Sequence, residues 1–140
     1  MTDQERICSI ALTQIAGIGP VWARNLIQAM GSAVDVFDRR KEVPEVMKGV
    51  AGARVVEALN CPQALTRAEA EYEFVVKNHL KCITMGEEEY PSRLRECDDA
   101  PIVLYYKGNA SLNPAHAVSL VGTRHATDYG KNLCLRFMRD

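Results

Sequence analysis

Residues 117–140, AVSLVGTRHATDYGKNLCLRFMRD, decide how the second half of this chain is read. AVSLVG is an apolar run of the kind found in a sheet covered on both faces. Gly122 closes it, Thr123 and Arg124 follow, and TDYGKNLCLRFMRD starts a helix that Thr127 or Asp128 can cap. In open α/β sheets, ligands bind at the carboxyl ends of strands, beside helix N-termini. At such a place Gly122 allows close backbone approach, Thr123 offers a hydroxyl, and Arg124 offers a planar fork matched to phosphate oxygens. The run lacks the G-x-G-x-x-G spacing of a dinucleotide site, and Arg124 stands where that motif needs a small residue. Two readings stay open here: a phosphate site, or an arginine paired with an acid on the rim of the sheet.

Charge favours the first. The 140 residues carry 17 Lys/Arg and 18 Asp/Glu, a formal net charge of −1, which gives no overall attraction to a polyanion. The distribution is uneven. Residues 1–62 hold seven basic and seven acidic side chains, residues 63–100 five and nine, and residues 101–140 five and two. An anion-binding surface therefore belongs to the last 40 residues. The sequence has no apolar run of transmembrane length, and MTDQERICSIAL lacks the basic-then-apolar order of a secretory leader. A cytoplasmic protein without membrane contact is expected. The five cysteines form no C-x-x-C pair and read as reduced, structural thiols. His79, His116 and His125 have no metal-ligand spacing, and no nucleophile–base set can be assembled, so neither cofactor, metal nor catalytic residue is expected.

Upstream, the pattern is helical. Residues 3–13 place Ile7, Ile10 and Ala11 on one face. Pro20 opens a second helix with Ala23, Leu26, Ile27 and Met30 inward and Gly31 just past its end. A short helix is expected around SAVDVF, two more in VPEVMKGVAGARVVEALN, and a long one through residues 63–80. That last helix should bury Leu65, Ala68, Tyr72, Val75, Val76 and Leu80. After it, KCITM and PIVLYYKG read as strands, separated by a loop with a helical turn. The division expected is an all-α unit at 1–62, a connecting helix at 63–80, and the opening of a parallel α/β sheet from 81 to 140.

LTQIAGIGPVWARNLI fits a helix-hairpin-helix: Leu12 and Ile15 close one helix, and Gly17 and Gly19 turn the backbone where a Cβ would clash. Ile18 plugs the gap between the helices and Ala23 admits their close approach. A degenerate echo falls at Gly49-Val50-Ala51. Such turns can hold a DNA phosphate on backbone N–H groups. Here Pro20 removes one donor and Val21 and Trp22 follow in place of cations. A structural or protein-contact role is therefore the expected one.

YPSRLRECDDAPIVLYYKGN followed by AVSLVGTRHATDYG closely resembles the DNA-processing protein A (DprA/Smf) family. The resemblance is carried by Tyr90, Pro91, Leu94, Asp99, Pro101, Leu104, Lys107, Gly108, Val121, Gly122, Thr123, Arg124, Tyr129 and Gly130. It implies a helix-hairpin-helix, sterile-alpha-motif-like front unit followed by an extended Rossmann-like domain. It further implies a homodimer that binds single-stranded DNA and loads the recombinase RecA during natural transformation, without enzymatic turnover. By motif, Arg124 matches the phosphate-contacting arginine, with Gly122 and Thr123 shaping its loop. With Lys131, these are the candidate nucleic-acid-binding residues. The alternatives are a Rossmann-like enzyme of the nucleoside-monophosphate phosphoribohydrolase type, and a helical protein-docking module.

Overall fold

The computed structural model describes residues 1–47 and 51–139, with side chains of 51–53 left aside. Helix α1 (Asp3–Gln14) is its axis. Thr2 caps it, accepting from Glu5 N at 3.2 Å, and Asp3 and Glu5 lie in the first turn, where acidic groups suit the helix dipole. Its middle, Ile10, Ala11 and Leu12, is inaccessible to solvent. Helix α2 (Pro20–Met30) starts on the expected proline and ends at Gly31, whose φ of 106° suits a residue without Cβ. Ser32 caps helix α3 (Ala33–Asp38). A 3-10 turn at Arg40–Glu42, helix α4 (Val43–Val46) and helix α5 (Ala51–Leu59) complete the first part. Of the echo at Gly49-Val50-Ala51, Gly49 and Val50 lie outside the described residues.

The hairpin turn is built as its sequence suggests, with one correction. Ile18 and Ala23 are buried and Trp22 flanks the core. Gly17 adopts φ +89°, which explains its glycine. Gly19 does not: its backbone is ordinary extended N-cap geometry, and a Cβ at either position would meet nothing within 4 Å.

Helix α6 (Pro62–Lys77) lies along α1, burying Ala64, Ala68 and Val75, with Leu65 and Tyr72 partly buried. It ends three residues earlier than its hydrophobic pattern suggests. His79 takes φ 54°, Leu80 N donates to Val75 O at 3.0 Å, and His79 N donates to Val76 O at 3.1 Å. These bonds form a Schellman close without a glycine. Val76, expected inward, is 58% exposed, because it sits one residue round the helix from buried Val75.

Strand β1 (Lys81–Thr84) pairs with strand β2 (Val103–Tyr106), with Lys81 opposite Tyr106 and Thr84 opposite Val103. The pairing is antiparallel, so the expected parallel sheet is not what forms: the described fold is α+β with a two-stranded antiparallel sheet. Between the strands, helix α7 (Ser92–Arg95) follows the Tyr90-Pro91 pair. Tyr90 is fully buried and its hydroxyl donates to Pro101 O at 2.6 Å, fastening the loop to the start of β2.

Polar clasps join the strands to the helices. Arg6 donates from Nε to Cys82 O at 3.1 Å and from Nη2 to the Glu87 carboxylate. Glu71 accepts from Gln14 Nε2 at 2.5 Å and from the Tyr105 hydroxyl. Cys82 and Val103 consequently share one hydrophobic core with α1 and α6. Among the described residues no helix is long and apolar enough to cross a membrane.

AVSLVG, expected as a buried strand, forms no strand among the described residues, with Val118 89% and Val121 93% exposed. An apolar run becomes a strand only when neighbours accept its hydrogen bonds and cover its faces. The following helix α8 (Asp128–Phe137) forms as expected, yet none of its residues is buried.

Candidate nucleic-acid interface

The loop between AVSLVG and α8 is organised by threonines. Thr123 donates its hydroxyl to His125 O at 3.0 Å, closing a tight turn. Thr127 is the N-cap, as its position suggests: it accepts from Gly130 N at 3.2 Å, and its carbonyl takes Lys131 N at 3.0 Å. Asp128, in the first helical turn, suits the positive end of the dipole.

Of the four candidate residues, Gly122, Thr123 and Lys131 line one cleft of about 760 Å³ between the loop and α8. Its walls are mostly apolar, with Val121, Leu133 and Phe137 among them, and its polar groups come from the threonines and Lys131. Arg124 does not line this cleft. It is exposed, and among the described residues it has neither a hydrogen bond nor an ion pair. An acid on a sheet rim, the alternative partner considered for it, is not in contact. A Cβ on Gly122 would meet nothing within 4 Å, so no packing within the described chain calls for a glycine there.

Lys131 carries one feature that the sequence reading passed over. Its Nζ lies 3.4 Å from Asp128 Oδ1, an i,i+3 pair readable from spacing alone. With the side chains 62% and 94% exposed, the pair holds Lys131 weakly and leaves its ammonium available to a stronger anion. Exposed Arg124 and Lys131 are the cations that this capped helix start offers to an anion, while the Thr123 hydroxyl is donated to His125 O.

The helix-hairpin-helix offers a different surface. Gly19 N-caps α2 without a side-chain bond, Pro20 has no N–H to give, and Val21 beside it is 44% exposed. Arg24, one turn on, is turned to Cys97 O at 3.0 Å.

Residues 81–140 match the family model described as DNA recombination-mediator protein A. Among curated proteins, the chain is similar to a protein named Smf from Synechocystis sp., 27% identical over 134 residues, covering 93% of this chain and 33% of the relative. It is also similar to a protein named for DNA processing, DprA, from Mycobacterium tuberculosis. That relative is 28% identical over 121 residues, covering 77% of this chain and 29% of the relative. The chain thus spans about a third of the length of the curated relatives it matches. No solved structure matches it.

Proposed function

We propose, from the family match of residues 81–140 and the similarity to proteins named Smf and DprA, that the chain belongs to the DprA/Smf family and is the front part of a single-stranded-DNA-binding protein of DNA recombination. In this reading Arg124 takes a backbone phosphate, Thr123 and Gly122 shape the loop that lets the strand approach, and Lys131 adds a second cation from α8. The observation that carries the proposal is the exposed, carboxylate-free guanidinium of Arg124 beside a capped helix start, in the most basic part of the chain. Phosphate contacts of this kind position a strand without reading its sequence.

The finer parts of the proposal rest on the family. AVSLVG and α8 would be the first strand and helix of a Rossmann-like domain, with a sterile-alpha-motif-like unit at 1–62 and α6 as its connector. The assembled protein would be a cytoplasmic homodimer that protects incoming single strands and hands them to RecA in natural transformation. Binding, not turnover, is its proposed work.

The test is Arg124→Ala, measured for binding to oligonucleotides of several sequences across a salt series. Affinity should fall about equally for every sequence. The slope of log K against log salt should become shallower by about 0.7–1. A slope equal to that of the parent chain would overturn the assignment.

A further inference from the structure

Away from Arg124, a cleft of about 320 Å³ opens between α1, α2 and the turn that follows β1. Two arginines from distant parts of the sequence line it, Arg24 on α2 and Arg95 on α7. Each is held by a main-chain carbonyl: Arg24 Nη1 donates to Cys97 O at 3.0 Å, and Arg95 Nη2 donates to Glu87 O at 2.6 Å. Neither has a carboxylate partner among the described residues, whereas Arg6 and Arg39 both do. Arg95 Nε is buried with no hydrogen-bond partner, an uncommon state for so strong a donor.

Both guanidinia sit close enough to influence the same phenol. Arg95 lies over the Tyr90 ring at 5.6 Å. Burial raises the Tyr90 pKa, and the charges of Arg95 and Arg24 both oppose that rise. Two arginines that line one cleft, neither in an ion pair with a carboxylate among the described residues and each already fixed at one end, make a pre-organised anion site.

The rest of the cleft limits what the anion is attached to. Its walls include Ile27 and Ile102, and Gln28 adds an amide; Thr84 also lines it, with its hydroxyl donated to Glu87 Oε2 at 3.1 Å. Glu5 also lines it, but its carboxylate is taken up by Ala33 N at 2.6 Å and Val34 N at 3.1 Å. The volume lies near the lower end of the range for ligand pockets, about 300–1,000 Å³. A flat group with apolar faces and hydrogen-bonding edges, joined to one phosphate, fits this description.

We propose that this cleft is a mononucleotide site, with Arg24 and Arg95 on the phosphate and the aliphatic walls on the base. It is separate from the Arg124 loop and does not depend on it. The nucleotide could be free or part of a strand, and the test distinguishes the two.

The ¹⁵N-labelled chain is titrated with thymidine 5′-monophosphate, thymidine, inorganic phosphate, and oligo(dT) with and without a 5′-phosphate. The amides of Gly31 and Gly86 and the Arg95 Nε–H are followed by NMR. The monophosphate should shift all three resonances, and thymidine or phosphate alone should bind at least about tenfold more weakly, since each loses one half of the contacts. Arg24→Gln should weaken the monophosphate by about tenfold, and Arg95→Lys, which keeps the charge but loses the fork, by less. Arg124→Ala should leave monophosphate binding unchanged, so that failure of the loop assignment and failure of this one are seen apart. Shifts with unphosphorylated oligo(dT) would assign the site to the interior of a strand. Shifts restricted to the monophosphate and the 5′-phosphorylated strand would assign it to a free or terminal nucleotide. Absence of any shift at millimolar monophosphate, or equal binding by a folded Arg24→Gln chain, would overturn the proposal.

Discussion

The Arg6–Glu87 clasp ties the first helix to the turn after β1, so its removal tests how the helical and strand-bearing parts are held together. Glu87 accepts from Arg6 Nη2 on Oε1, and from Thr84 N at 2.8 Å and Thr84 Oγ1 at 3.1 Å on Oε2. The two side chains are only 23% and 20% exposed. Glu87→Gln keeps the shape and one acceptor oxygen but removes the charge opposite Arg6. Removing one member of a fully buried pair costs about 3–5 kcal/mol, and exposed pairs contribute about 0–1 kcal/mol. A pair mostly but not wholly shielded belongs between them, at about 2 kcal/mol.

The pH dependence adds a second, independent check. Burial pushes the Glu87 carboxyl up, but the Thr84 N–H and the Arg6 guanidinium outweigh it and leave the pKa below the ordinary 4.5. A depressed folded-state pKa stabilises at pH above the unfolded value, and the contribution is lost as pH falls through the folded one. Urea unfolding of the parent and Glu87→Gln chains should therefore differ by about 2 kcal/mol at neutral pH. The gap should close progressively below pH 4.5. A gap under about 0.5 kcal/mol at neutral pH, the scale of an ordinary surface substitution, or one that does not change with acid, would refute the reasoning.

Three further outcomes follow from the same geometry. Tyr90→Phe removes the donor to Pro101 O inside a fully buried site, and should cost about 1–3 kcal/mol in urea midpoint analysis without changing secondary structure by circular dichroism. Gly17→Ala forces a Cβ onto φ +89° and should destabilise by about 1–2 kcal/mol, while His79→Gly relieves φ 54° and should stabilise by up to a similar amount; thermal melts read both. A thiol reagent should label exposed Cys97 and Cys134 first, and Cys8 and Cys82 only on unfolding, since burial shields both and pushes the Cys82 thiol up to about 11.

The helical part of the fold was legible because its signals are local. Pro20, Gly31 and Ser32 mark helix ends through the φ they fix or the cap they offer, and each sits at the terminus its chemistry suggests. The end of α6 was not legible, because His79 occupies a position that glycine normally announces, and only the hydrogen bonds to Val75 and Val76 reveal it. Strand partners are less local still. KCIT and VLYY could be read as strands from their branched and aromatic residues, but the antiparallel sense depends on how the intervening loop folds back through Tyr90 and Pro101.

The candidate sites divide in the same way. Gly122, Thr123, Arg124 and Lys131 lie within ten residues, so their pattern could be seen in one line of sequence, and Thr127 caps the helix among them. Arg24 and Arg95 are 71 positions apart (95 minus 24), and nothing in either neighbourhood announces the other. They line one cleft because Arg24 reaches across to Cys97 while the Tyr90 ring and the Glu87 carbonyl hold Arg95. A charge count put the anion-binding surface in the last 40 residues, since residues 63–100 are acidic overall. That average concealed Arg95, an arginine in the acidic stretch that is hydrogen-bonded to a carbonyl and has no ion pair among the described residues. Local acid–base pairing, which net charge ignores, is what leaves a cation free to bind a phosphate.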